Sequence, residues 1–334
     1  LDQRIQLLLN LLVSLAIFAA LFWLVGAGRI YETLLGAKPE LLALALVAYS
    51  AVTFVMAYRI RYVLAGMKEK LSLMQVVPSN LAGLLASDFT PARAGYFFSA
   101  FSLSSKFGIA TEKTVTAIFG PQLFDFLIKV FSAIALTLLI VSKVGAGSVA
   151  LDILVVCAAL GAILFAGLFV FHPPFLELFS FAERLPVVPI LFSFLRRMHV
   201  HSGRVLDLKW GVMGLTFLAW MLKGTEWLFL SRALGISVTG SLPTDLVFMM
   251  AFQAAITLIQ FVPSPTLAGA GASEAAFAAV LLPFGIPFET SVAFGFLTRL
   301  SMIVVDSLSL PVIVAYLHKH SMESILERIS GLGH

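Results

Sequence analysis

Six ionisable side chains, Asp125, Lys129, Lys223, Glu226, Arg299 and Asp306, interrupt stretches otherwise apolar enough to sit in lipid. A charge at the centre of a transmembrane helix costs on the order of 2.5 to 3.5 kcal/mol on insertion scales, so each implies a partner or a ligand. Asp125 and Lys129 stand at i and i+4 in FDFLIKV, and Lys223 and Glu226 at i and i+3 in LKGTEW. Both spacings put the two charges on one helix face. Each pair reads in two ways: as a self-neutralising pair that turns its helix toward the bundle, or as part of a site for a charged ligand. Arg299 and Asp306 lie two turns apart, too far to bond within one helix, and are expected to face the interior and meet other groups there. Arg299 is also too deep in its apolar run to reach an interface by extending its side chain. Its guanidinium can fork to a phosphate, which makes it the first candidate for an anion contact.

Two further groups of charge stand where apolar runs break. DFTPAR carries Asp88 and Arg93, and PSPTLAGAGAS is followed by Glu274. Thr90 and Ser273 are expected to cap short helices there, with Pro91 at a first helical position. The free N–H groups of such a helix start attract an anion, and Gly269 and Gly271 would let the backbone close on it. The competing reading is that Glu274 only caps its own helix, as a first-turn carboxylate does.

Other chemistry finds little support. His199 and His201 in HVHSG lie in a basic segment with no carboxylate or cysteine pattern to complete a zinc site. HKH at 318–320 ends an apolar run and reads as a basic anchor. There is no H-E-x-x-H, no Walker loop and no G-x-S-x-G, and no strand precedes GAGAS, so no metal, nucleotide or other cofactor is expected. The single Cys157 excludes an intrachain disulfide. Nothing points to nucleic acid.

The elements that must position these charges follow from hydropathy. Of 334 residues, 60% are hydrophobic and 12% charged, with a mean hydropathy of +1.01. Such a chain is an all-α polytopic integral membrane protein, read as a single membrane domain over 1–334. About 20 apolar residues cross a bilayer core of roughly 30 Å. Six runs meet that length, 7–26, 40–64, 113–141, 149–171, 209–234 and 288–317. The first lacks a small-residue cleavage site and is read as a span that stays. Two more apolar regions, 73–105 and 243–283, are split by proline and read as re-entrant hairpins, tolerated at depth only where protein or water surrounds the broken backbone. With both termini in the cytoplasm, Lys68, Lys70, Arg93, Lys106, Lys113, Arg184, Arg196, Arg197, Arg204, Lys209, Lys319 and Arg328 fall inside, against Arg29, Lys38, Lys143 and Arg232 outside. This bias follows the positive-inside rule. Residues 173–208 mix Phe and Leu with Arg and His and read as an amphipathic cytoplasmic linker.

The chain also repeats itself. FGIATEKTV at 107–115 and FGIPFETSV at 284–292 match at a spacing of 177, each after a proline-broken hairpin. The spans before the hairpins end in RYVLAGM and SRALGIS. Unit one covers about 40–141 and unit two about 209–317. They begin an odd number of spans apart, which inverts one against the other, a pattern that points to a substrate site near the midplane of a transporter.

Taken together, FTPARAG, LFD, GAGASEAA and FLTRL resemble the flippase-like membrane domain of lysylphosphatidylglycerol synthases and of its stand-alone relatives, over about residues 5–317. Pro91, Arg93, Gly95, Asp125, Gly269, Gly271, Glu274 and Arg299 match its loose motifs. Tyr96 stands where relatives often have Glu, GPQLFD replaces an E-R-x-x-D-like run, and Ser273 takes a position that is often Arg. These departures bear on head-group preference more than on fold. The resemblance implies movement of a polar or anionic lipid, such as aminoacylated phosphatidylglycerol or a polyprenyl-phosphate-linked sugar, between the leaflets of the cell membrane. Within these 334 residues there is no aminoacyl-transferase domain, so on that comparison the chain would flip a lysylated lipid but not make it.

The leading expectation is therefore a lipid flippase or scramblase rather than an enzyme. Arg93, Lys223 and Arg299 would hold the phosphate with Gly269 and Gly271 beside it, Asp125 and Glu274 would orient those cations, meet the head group or carry a coupling proton, and Asp88, Pro91, Gly95, Lys129, Glu226 and Asp306 would support them. An intramembrane enzyme acting on a lipid-linked substrate, an accessory subunit for a separate lipid-modifying enzyme, and an ion-coupled transporter of a small anion remain as alternatives. A homo-oligomer is compatible with each.

Overall fold

The computed structural model describes residues 27–90, 93, 95–144, 203–261 and 272–319, together with Glu177 and Arg196. Among them every regular element is a helix, as lipid demands of a backbone that must satisfy its own polar groups. In chain order they are α1 (Ala27–Leu35), α2 (Pro39–Gly66), α3 (Leu73–Asp88), α4 (Tyr96–Phe107), α5 (Thr111–Phe119), α6 (Gln122–Val144), α7 (Lys209–Ala233), α8 (Leu242–Phe261), α9 (Ala272–Leu281), α10 (Phe288–Asp306) and α11 (Leu310–Lys319). Pro39 opens α2 at a position where its missing N–H costs nothing.

Three helical stretches among the described residues are long and apolar enough to cross a membrane, Pro39–Gly66, Thr111–Ser142 and Phe288–Tyr316. Helix α7 has the length, with 25 residues, but carries Lys209, Lys223, Glu226 and Arg232. The expected spans 7–26 and 149–171, and nearly all of the amphipathic linker, lie outside the described residues.

Two expected spans prove to be interrupted. The run 113–141 is divided at Gly120 and Pro121 into α5 and α6, and the chain restarts with the Phe124 and Asp125 amides donating to the Pro121 carbonyl. The run 288–317 passes through one tight turn, Ser307–Ser309, between α10 and α11. Pro311 explains that break, because its ring clashes with the carbonyl four residues back.

Both proline-broken regions fold back on themselves. In the first, Ser79 Oγ meets Ser102 Oγ at 3.0 Å, Ser99 packs on Gly83, and Gly95 packs on the backbone of Ala86 and Ser87, an antiparallel register between α3 and α4. In the second, Phe252 meets Phe277 and Phe248 meets Phe284, again antiparallel. At about 1.5 Å per residue, the 16 residues of α3, the 12 of α4 and the 10 of α9 are too short to cross about 30 Å alone.

The 177-residue offset carries further than the matched nonapeptides. It takes Tyr96, where α4 begins, to Ser273, beside the start of α9 at Ala272; it takes Gly108 to Gly285, each in the left-handed region at φ +66° and +76°; and it takes Thr111 to Phe288, where α5 and α10 begin. The helices that lead into the two hairpins, α2 and α7, run antiparallel in contact. Lys38 N donates to Ala233 O at 3.1 Å at one end, Arg59 reaches Thr216 in the middle, and the Tyr62 ring covers Gly211 near the other.

Two apolar cores result. One is built chiefly from α2, α3, α4 and α5, the other chiefly from α7, α8, α9 and α10. Two helices cross between the groups: α6, which follows the first, packs on α8, while α10 of the second and its tight turn pack on α3. That exchange brings the charged residues of both halves to the seam.

Candidate functional site

At the seam lies a cavity of about 100 Å³, lined by Tyr49 and Arg59 of α2, Arg93 and Tyr96 of the first hairpin, Gln122, Asp125 and Lys129 of α6, Thr216 and Lys223 of α7, and Gln253 of α8. A smaller one of about 30 Å³ shares Arg93, Lys223, Thr257 and Met302 and adds Ser273, Glu274 and Arg299. The three cations singled out from the sequence, Arg93, Lys223 and Arg299, therefore line one space. A buried water needs roughly 10–15 Å³ on this measure, so the larger cavity holds a few waters or a phosphate-sized group.

Two of the four ion pairs at the seam join different elements. Arg59 forks to Asp125, Nη1 to Oδ1 at 3.0 Å and Nη2 to Oδ2 at 2.9 Å, and Nη1 also donates to Thr216 Oγ1 at 2.7 Å. Asp125 is thus held by another helix, not neutralised solely along its own by Lys129. Lys129 lines the same cavity, with its ammonium 5.8 Å from the Phe126 ring centre. The expected Lys223–Glu226 pair is present at 2.6 Å, and Ser301 Oγ donates to the other carboxylate oxygen at 2.6 Å. Lys223 Nζ also stands 4.1 Å from the centre of the Tyr49 ring, a cation–π contact in a desolvated setting.

Each hairpin contributes one ion pair. Arg93 Nη2 donates to Asp88 Oδ1 at 3.1 Å within the first. Arg93 takes φ +56°, a left-handed conformation that costs a residue with a Cβ roughly 1–2 kcal/mol. Asp88 therefore offsets a strained backbone at the reversal. Arg299 Nε donates to Glu274 Oε1 at 3.0 Å, its Nη2 to Ser273 Oγ at 2.9 Å, and Ser273 Oγ to Glu274 Oε2 at 2.9 Å. Glu274 is accordingly tied to α10 and does more than cap its own helix.

The expected capping roles change. Helix α4 begins at Tyr96, five residues past the proline, and Thr90 instead staples the turn: Oγ1 donates to Ala86 O at 2.9 Å and accepts the Gly95 amide at 2.7 Å. Gly95 is obligatory, because a Cβ there would lie inside the backbone of Ala86 and Ser87. Ser273 falls within the first turn of α9, not before it. Pro91, Gly269 and Gly271 lie outside the described residues.

Asp306 meets a partner the sequence did not suggest. Tyr49 Oη donates to its Oδ2 at 2.8 Å, across 257 positions. Arg59 was also missed. It shares one helical stripe with Tyr49, Val52 and Met56, all lining the cavity, and that spacing of 3, 4 and 3 was the available signal. Among the described residues no three His, Cys, Asp or Glu side chains are placed to hold a metal ion.

Chemically, the seam sets five cations, Arg59, Arg93, Lys129, Lys223 and Arg299, against five carboxylates, Asp88, Asp125, Glu226, Glu274 and Asp306. Such an interleaved set of donors and acceptors can exchange partners with a ligand that brings both signs of charge.

A family model described as "Lysylphosphatidylglycerol synthase TM region" matches residues 8–309, and the chain belongs to that family. No curated protein matches it. The chain is an integral membrane protein, and family membership links it to membrane lipids.

Proposed function

We propose that this protein moves a polar or anionic phospholipid between the leaflets of the cell membrane and is a transporter, not an enzyme. The observation that carries the reading is that Arg93, Lys223 and Arg299, from three different elements of the two halves, line one small polar cavity at the seam. A phosphate there would take donors from those cations. Asp125 and Glu274, released from Arg59 and Arg299, would accept from an ammonium or from sugar hydroxyls. A balanced lattice favours a head group carrying both kinds of group over a bare anion, since each broken internal pair is replaced. An aminoacylated phosphatidylglycerol meets that description; so does a polyprenyl-phosphate-linked sugar.

The 100 Å³ cavity is too small for a whole head group, so passage requires the halves to move. The antiparallel contact of α2 with α7, the two antiparallel hairpins and the shared left-handed glycines support an inverted repeat whose units rock about the seam. Arms too short to cross alone support re-entrant hairpins entering from opposite faces, within a six-span bundle whose termini are both cytoplasmic. A separate lipid-modifying enzyme would supply the substrate, and the units could assemble further as a homo-oligomer.

Leaflet exchange in proteoliposomes, with labelled anionic, aminoacylated and polyprenyl-phosphate lipids, tests this. Exchange with the lipid recovered intact, reduced at least tenfold in the double variant Arg299→Gln/Glu274→Gln while its melting temperature holds, is the expected result. Chemically altered lipid would replace transport by intramembrane catalysis. Exchange that appears only with a synthase added would make the chain an accessory subunit.

A further inference from the structure

Among the seam carboxylates Asp306 stands apart. Asp88, Asp125, Glu226 and Glu274 each have an arginine or lysine within ion-pair distance. Asp306 is fully buried, it accepts a hydrogen bond from the neutral Tyr49 hydroxyl, and among the described residues its Oδ1 meets no donor. Asp88, on the helix that packs against the Ser307–Ser309 turn, likewise has one buried oxygen, Oδ2, without a partner. Asp88 is the last residue of α3, and α3 packs on the turn that directly follows Asp306. A fully buried carboxylate with one oxygen that accepts no hydrogen bond is costly as an anion, and a proton on it removes that cost.

Tyr49 supplies the route. Its ring lines the central cavity while its hydroxyl points to Asp306, which does not border that cavity. We propose that Asp306 is a proton-binding site, charged from the central cavity through the Tyr49 hydroxyl and set against Asp88. The proton enters from solvent as a hydrated proton in the cavity: it moves onto Tyr49 Oη as that hydroxyl passes its own proton to Asp306 Oδ2, leaving a neutral water, a neutral tyrosine and a neutral carboxyl. When that proton leaves, two like charges face each other between the first hairpin and the end of α10, and the hairpin is loosened from its seat. The other charged groups around Asp306 are already engaged. On α7, Lys223 pairs with Glu226; on the first hairpin, Arg93 pairs with Asp88; on α9, Glu274 pairs with Arg299. Arg29 and Glu32 of α1 and His318 of α11 are exposed. Under the transport reading, on which only its purpose rests, this is the coupling proton, and it makes the first hairpin the moving part.

Infrared difference spectroscopy of the purified protein across a pH titration tests the site without any transport. A protonated-carboxyl C=O band that fades as pH rises, is missing in Asp306→Asn and fades at lower pH in Asp88→Asn is the expected result. Asp306→Asn copies the neutral form and is expected to keep the wild-type melting temperature at low pH. A wild-type protein with no such band, or a band that survives in Asp306→Asn, overturns the proposal. Exchange measured with an imposed pH gradient then separates the two claims. Gradient-dependent exchange that loses its dependence in Asp306→Asn supports coupling, and equal dependence in both refutes it. An intact band in a protein that exchanges no lipid would strike the transport reading while the proton site stands.

Discussion

The two hairpins solve the same problem with different materials. The first closes on small and hydroxylated residues: Ser79 on Ser102, Ser99 on Gly83, Gly95 on the Ala86–Ser87 backbone, with Ser99 Oγ donating to Ser79 O at 2.6 Å. The second closes on aromatic rings, with Phe252, Phe277, Phe294 and Trp227 packed at centroid distances of 4.9–6.3 Å. Their charges differ in the same sense. Asp88 and Arg93 are both on the first hairpin, so that pair travels with it. Glu274 is locked to Arg299 on the next span. The first hairpin is thus electrically self-contained and closely packed through hydrogen bonds, whereas the second is bolted to its neighbour. Under the proposed transport cycle, the difference assigns mobility to the first hairpin and anchorage to the second.

Four substitutions would break or sharpen that contrast. Gly95→Ala is expected to have the largest effect, because a Cβ would overlap backbone that cannot yield; little folded protein should survive detergent extraction and size-exclusion chromatography. Glu274→Ala takes from Arg299 its ion-pair partner across the anchored hairpin and leaves it Ser273 Oγ, and thermal unfolding in detergent should show a loss of about 3–5 kcal/mol. Asp88→Ala should cost clearly less in the same measurement. Arg93 borders both cavities and can take water, and Asp306 loses a like-charged neighbour. Equal losses for the two alanine variants would end the distinction between a self-contained and an anchored hairpin. Ser99→Ala removes one hydrogen bond between the arms of the first hairpin and is expected to cost about 1 kcal/mol. If it cost as much as Glu274→Ala, polar closure would matter more than the ion pairs.

Much of the frame was legible beforehand. The proline-split runs at 73–105 and 243–283 are antiparallel hairpins, because a chain that breaks its helix in lipid must bury the break against itself or a neighbour. The Lys223–Glu226 pair follows from i,i+3 spacing alone, a local rule that packing did not overturn. The interruptions at Gly120–Pro121 and before Pro311 were passed over because the apolar runs continue through them, and hydropathy does not register a missing N–H. Arg59 escaped notice for a related reason: inside a 28-residue apolar helix its neighbours in sequence are apolar, and only its neighbours in space, Asp125 and Thr216, give it a role.

By itself the sequence determined that the chain is helical and apolar, where the two proline-split runs turn back, and that charges such as Lys223, Glu226 and Arg299 stand within apolar helices. Those properties depend on runs and spacings within one element. The tertiary structure alone decided which charge answers which. Arg59 with Asp125, Arg299 with Glu274 and Tyr49 with Asp306 join positions 66, 25 and 257 residues apart. Local spacing carries no record of such pairs, because a buried charge is satisfied by whichever partner the packing of separate helices brings within hydrogen-bonding distance.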